Sequence, residues 1–135
     1  MAEAAGADLF EIEPVQKYTS EDLDMDGQKS RSTLEKNDPS SRPAIAEHVD
    51  HMDQYDTVFV GFPIWWYVAP TIVNTFLEKY DFSGKKIVLF ATSGGSGFGN
   101  TVKELKPSAP GAEIVEGKLL NRANKQEIEK WVKSL

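Results

Sequence analysis

Two stretches of this chain, Thr57–Gly61 and Lys86–Thr92, are apolar at nearly every position instead of at every second one. A strand with one wet face alternates; a run without alternation is covered on both faces, as parallel strands inside an α/β sheet are. Further apolar runs predict strands at Asp8–Glu13 and Glu113–Val115. Helical stripes fall between and after them: Ile45, Val49 and Met52; Ile72, Val73, Phe76 and Leu77; Val102 and Leu105; Ile128, Trp131, Val132 and Leu135. Asn124, three residues before Glu127, resembles a capping box, and Pro70-Thr71 suits the first turn of a helix. The order β-α-β-α-β-α-β-α predicts an α/β fold, a three-layer sandwich with a parallel sheet and right-handed crossovers.

Length limits that architecture to one unit. With 135 residues, 40% apolar and 10% aromatic, residues 1–135 are expected to form a single domain. Twenty-one acidic against fifteen basic residues give a net charge of −6, which disfavours nucleic acid and anionic lipid and favours basic partners. The absence of cysteine removes disulfide frameworks, thiolate metal sites and cysteine nucleophiles. The start, Met1-Ala-Glu-Ala-Ala-Gly, lacks the basic and apolar parts of a signal peptide, and no apolar run is long enough to span a bilayer. A cytoplasmic location is the expectation.

Two regions depart from the regular alternation. From Pro14 to Arg42 the chain is polar, rich in Ser, Asp, Asn and Pro, and shows little periodicity, so it reads as a functional or disordered loop. Ala2–Ala5 reads as the tail of a helix ending at Gly6, with nothing before it to begin a βαβ unit.

The segment Gly61-Phe62-Pro63-Ile64-Trp65-Trp66-Tyr67-Val68-Ala69-Pro70 leaves the carboxyl end of a buried strand and enters a helix. Adjacent aromatics cannot all face one core, and at that edge of an open α/β sheet they offer flat faces to a planar ligand. Packing of Trp65 and Trp66 under neighbouring loops explains them equally well. The next strand delivers Ala91-Thr92-Ser93-Gly94-Gly95-Ser96-Gly97-Phe98-Gly99-Asn100 to the same edge. Its glycines let backbone N–H groups approach a ligand closely, although a flexible turn would look the same. Consecutive parallel strands place the two loops side by side, and that conjunction favours a ligand site.

Together these loops resemble the two isoalloxazine-binding loops of flavodoxins, in the branch with paired tryptophans. The similarity extends over Ser41-Arg42-Pro43-Ala44-Ile45 and the closing Trp131 helix. The resemblance implies a flavodoxin-like three-layer α/β/α sandwich with FMN as cofactor. It implies that Pro63, Ile64, Trp65, Trp66 and Tyr67 flank the flavin ring. Thr92, Ser93, Gly94, Gly95, Ser96, Gly97, Phe98 and Gly99 would touch its pyrimidine and ribityl side. Trp65, Trp66, Tyr67 and Phe98 are the candidates for sandwiching the ring.

The family opens with a hydrophobic strand and a Ser/Thr/Gly loop that holds the FMN phosphate; nothing here corresponds to either. By that pattern Met1 falls within the first crossover helix and Asp8–Glu13 is the second strand. A sheet of order 2-1-3-4-5 would then lack its central strand. Either Asp8–Glu13 pairs directly with Thr57–Gly61, or it detaches, or another chain fills the slot by strand exchange, giving a homodimer. FMN affinity is expected to fall by orders of magnitude, since each lost charge-assisted hydrogen bond is worth about 1.5–3 kcal/mol.

Other patterns carry less. Asp22-Leu23-Asp24-Met25-Asp26-Gly27 imitates the start of a calcium loop, but Thr33 stands where the bidentate Glu is needed. Ala91-Thr92-Ser93-Gly94-Gly95 imitates a nucleophile elbow, yet His48 and His51 precede the serine where a hydrolase needs a His after it. Neither a metal site nor catalytic residues are expected, and both histidines read as solvated surface.

The resemblance therefore points to an electron carrier with FMN, serving redox partners with basic surfaces. Acidic surroundings would lower the flavin potential. A truncated relic or interaction module that folds without flavin is the rival reading, and a flavin-dependent quinone reductase a more distant one.

Overall fold

A computed structural model describes residues 7–16, 18–19, 21, 23, 30–38, 40–46, 49, 52–65, 68–93, 97–121 and 124–135. Its sheet has three parallel strands in the order β1 (Thr57–Pro63), β2 (Lys86–Thr92), β3 (Glu113–Leu119). The central strand is one of the two whose sequences do not alternate, and its Ile87, Val88 and Leu89 are all fully buried. β1 pairs with β2 without interruption from Thr57–Lys86 to Pro63–Thr92. Val60 and Phe62 are buried on one side of β1, while Phe59 and Gly61 point to the other and are more open.

On the Val60 side, α2 (Thr71–Glu78) buries Ile72, Val73, Phe76 and Leu77 against Val60, Phe62, Ile87, Leu89 and Ala91. Phe76, Tyr80 and Phe82 form a cluster with ring centroids 5.2–6.1 Å apart. Such pairs add about 0.5–1.5 kcal/mol beyond area burial. α3 (Thr101–Leu105) contributes the buried Leu105 and passes into a 3-10 turn at Lys106–Ser108, where Pro107 cannot donate to continue an α-helix. On the opposite side, α4 (Lys125–Lys133) sets Trp131 edge-on to Phe59 at 6.4 Å. Helices on both faces of a parallel sheet make the expected three layers.

β3 runs longer than the Glu113–Val115 read from its apolar residues. A bulge between Val88 and Phe90 sets two residues of β3, Glu116 and Gly117, opposite the single Leu89. A side chain at Gly117 would put its Cβ 1.7 Å from the Leu89 carbonyl oxygen and 2.8 Å from the Trp131 ring. Glycine is the one residue that admits this approach.

Three expectations need correction. Asp8–Glu13, read as a strand, belongs to no sheet among the described residues, so direct pairing with β1, one of the three alternatives, is not what they show. Side chains hold it instead: Phe10 stacks on Phe76 at 6.1 Å, Ile12 packs on the core, and Tyr55 Oη donates to Asp8 at 2.5 Å. Its end is tied antiparallel to Ile45, with Val15 N donating to Ala44 O at 2.9 Å and Ala46 N to Glu13 O at 2.8 Å. Apolar alternation tells which residues face inward, and that requirement is met here without a ladder. The helix read from Ile45, Val49 and Met52 shows only a 3-10 turn at Met52–Gln54, with residues 47, 48, 50 and 51 outside the described residues. Conversely, the polar stretch Pro14–Arg42 contains α1 (Arg31–Lys36). An Arg31–Glu35 ion pair at 2.9 Å, spaced one turn apart, and a Tyr18 hydroxyl donating to Glu35 support it. No hydrophobic stripe would have revealed it. Pro70 is the N-cap of α2, just outside its first turn.

Candidate functional site

The carboxyl ends of β1 and β2 finish level. Pro63 stands opposite Thr92, both exposed, and Ile64 N donates to Thr92 O at 2.8 Å, so the aromatic loop and the glycine-rich loop leave the sheet side by side. Beyond Ile64 the chain turns back on itself: Trp65 N donates to Val68 O at 2.9 Å and Val68 N to Trp65 O at 3.2 Å. Trp66 and Tyr67, between them, lie outside the described residues, as do Gly94, Gly95 and Ser96.

Trp65 is 5% exposed, and its ring meets Tyr18 edge-on at 5.6 Å. Tyr18 in turn carries the Arg31 guanidinium 3.9 Å from its centroid. Ile64 is also buried, at 4%. Phe98 is 6% exposed and lies edge-on to Phe62 at 6.4 Å, which pins the far end of the glycine-rich loop onto β1. Thr101 N then donates to Phe98 O at 2.9 Å as α3 begins. Gly99, at φ 52°, takes the left-handed conformation needed for that turn, and Gly97 has open space where a side chain would be.

Of the sequence candidates, Pro63, Thr92, Gly97 and Gly99 are therefore exposed at this edge and Ser93 half-buried. Ile64, Trp65 and Phe98 form the packed support behind it. Sequence reasoning missed two residues that shape the site. Tyr18 covers Trp65 from the polar stretch, where it was a lone aromatic. Asn121, just past β3, accepts from Ser93 N through Oδ1 at 2.9 Å and donates from Nδ2 to Ser93 O. Its signal was faint, a polar residue in the segment that follows the last strand, at the edge where ligands bind.

A cavity of about 340 Å³ opens beside this edge, not on it, between Trp65, Pro70, Asn74, Arg42, Pro107 and Ser108. Its polar groups bond to one another and to Glu78 beside it. Asn74 Nδ2 donates to Ser108 Oγ at 3.0 Å, and Ser108 Oγ to Glu78 Oε2 at 2.7 Å. The Arg42 guanidinium reaches Glu78 at 2.9 and 3.1 Å. Arg42 first and Ser108 second hold the Glu78 carboxyl below its ordinary range. Among the described residues no His, Cys, Asp and Glu cluster of metal-binding size occurs. His48 and His51, and nearly all of Asp22–Gly27, lie outside the described residues. No helix among the described residues is long and apolar enough to cross a membrane.

The ring-binding half of a flavin site fits these residues: an exposed carboxyl edge flanked by two loops, one with glycines open to close approach. No described loop offers the Ser/Thr/Gly hydroxyl cradle that a phosphate needs.

The sequence profile of the family described as Flavodoxin matches residues 1–135. A crystal structure of a protein classed as a flavoprotein from Bacteroides eggerthii DSM 20697 is 47% identical, with a TM-score of 0.91 over 98% of this chain and 84% of its own. A similar one from Bacteroides uniformis ATCC 8492 is 45% identical, with a TM-score of 0.91 over 98% of this chain and 85% of its own. A flavoprotein from Lactobacillus acidophilus NCFM in complex with FMN shares the fold at 21% identity, with a TM-score of 0.52 over 74% of this chain and 64% of its own. No curated protein matches the sequence.

Proposed function

We propose that this chain, which belongs to the flavodoxin family, binds FMN non-covalently at the carboxyl edge of β1 and β2 and serves as an electron carrier. One observation supports this above all: Pro63 and Thr92 stand opposite each other, so two ligand-type loops share one edge of the sheet. FMN, when bound, supplies the redox chemistry. The protein's own part is to position and exclude water. Trp65 and Phe98, buried in packing, brace the two loops, and Pro63, Thr92, Gly97 and Gly99 present surface to the ligand. That assignment leaves Trp66 and Tyr67 as the aromatic candidates for the ring faces. Twenty-one acidic residues against fifteen basic ones suit redox partners with basic surfaces and lower the potential of a bound flavin.

Weak phosphate recognition belongs to the same proposal, because the described loops supply none of the hydroxyl and N–H cradle. A titration of the purified protein with FMN and riboflavin, followed by flavin fluorescence, tests both parts. Comparable affinities for the two ligands are expected. Tight FMN binding with riboflavin far weaker would refute the weak-phosphate part, and no binding of either would leave the rival, an interaction module without flavin. Sustained NAD(P)H oxidation with a quinone would favour a reductase over a carrier.

A further inference from the structure

The structure assigns Asn121 the role of a positioning residue that holds the base of the glycine-rich loop in line with the sheet. The assignment takes its ligand, not its geometry, from the flavin-binding reading above. β3 ends at Leu119, and Leu120 N still donates to Ala91 O at 2.8 Å as the last backbone rung between the strands. At the next position a side chain replaces the backbone. Asn121 Oδ1 accepts from Ser93 N at 2.9 Å while its Nδ2 donates to Ser93 O. One planar amide thus binds both backbone groups of a single residue 28 positions away.

Only Asn and Gln carry a donor and an acceptor in such a fork, and Asn has the shorter reach. Ser93 is the first residue beyond β2. The residue before it is tied from the other side, where Ile64 N donates to Thr92 O. The loop therefore leaves the sheet with its first residues fastened to both neighbouring elements, and it returns to a fixed point where Phe98 packs on Phe62. Between those anchors the sequence holds Gly94, Gly95 and Gly97. Fastening Ser93 fixes where and in which direction that stretch leaves the sheet, which preorganises the edge a ligand meets.

Hydrogen exchange on the whole protein without flavin tests the clamp directly. In Asn121→Ala the amide of Ser93 should exchange roughly tenfold faster, with those of Ile87–Ala91 and the thermal midpoint unchanged. Asn121→Asp keeps the acceptor for Ser93 N but sets a carboxylate against Ser93 O, so it should not rescue the loss. Titration then gives the functional readout: affinities for FMN and riboflavin both fall about five- to tenfold, and their ratio stays that of the unsubstituted protein. Unaltered exchange at Ser93, or a lowered midpoint with faster exchange throughout, overturns the assignment. Flavin affinities unchanged within twofold overturn it as well. Local exchange that quickens in a protein that binds no flavin at all supports the clamp and removes the flavin reading instead.

Discussion

At Gly117 and Gly61 the sheet is sensitive to single atoms, but for different reasons. A Cβ at Gly117 meets the Leu89 carbonyl oxygen, part of the central strand, whereas a Cβ at Gly61 meets the Phe90 ring at 2.3 Å, the mobile end of a side chain. Gly117→Ala should therefore cost about 2–3 kcal/mol of stability in urea unfolding and Gly61→Ala clearly less. Equal losses would show that the bulge is not as tight as this. Glu78 gives a pH-dependent counterpart. Its folded carboxyl lies below the ordinary range, so its contribution is present above the unfolded value and disappears as pH falls through the folded one. The Glu78 side chain is 42% exposed, and screening limits an ion pair of this kind to at most about 1 kcal/mol. Glu78→Gln should be slightly less stable than the unsubstituted protein at neutral pH, with the gap closing below the carboxylate range. A gap that persists in acid would point to packing instead of charge.

The elements differ in what holds them. α2 is defined by burial, with five of its eight residues inside, and it needs no side-chain cap. α4 buries no residue completely, so its ends matter more: Asn124 Oδ1 accepts from Glu127 N at 2.9 Å, with Lys130 and Lys133 in the last turn facing the negative end of the helix dipole. Asn124→Ala should cost about 1 kcal/mol and appear as faster amide exchange in α4 before global unfolding. Exchange confined to other elements would contradict this. The cap was legible in the sequence because a capping pair is local. α1 was not, because it rests on Arg31, Glu35 and Tyr18, whose meeting depends on a contact across 17 positions.

For the molecule as a whole, β1 has a ladder neighbour on one side only among the described residues. Its sequence there, from Thr57 to Pro63, carries no charge. Uncharged edges of that kind invite pairing with another chain, so strand exchange between two copies, one of the three alternatives drawn from the sequence, is a proposal that this edge makes testable. Light scattering should give a two-chain mass that reverts to one chain in Thr57→Lys, a charge placed on the exposed start of the edge. A one-chain mass at every concentration would end it. The segment Asp8–Glu13 belongs to no ladder among the described residues, and its Phe10 and Ile12 reach the core by side-chain packing.

By itself, the sequence determined the layer order, the parallel pairing of Thr57–Gly61 with Lys86–Thr92, the burial stripe of α2 and the meeting of two loops at one edge. Those features follow from periodicity and from the pairing of consecutive parallel strands, which act over short stretches of chain. Tertiary structure alone decided how the loops are spent: Trp65 turns inward under Tyr18, Phe98 under Phe62, and Asn121 reaches back to Ser93. An aromatic or an amide has the same local signature whether it faces ligand or neighbour. Which it faces depends on partners 28 to 47 positions away, at Asn121–Ser93, Tyr18–Trp65 and Phe62–Phe98, where burial and hydrogen bonding are settled only once the strands align.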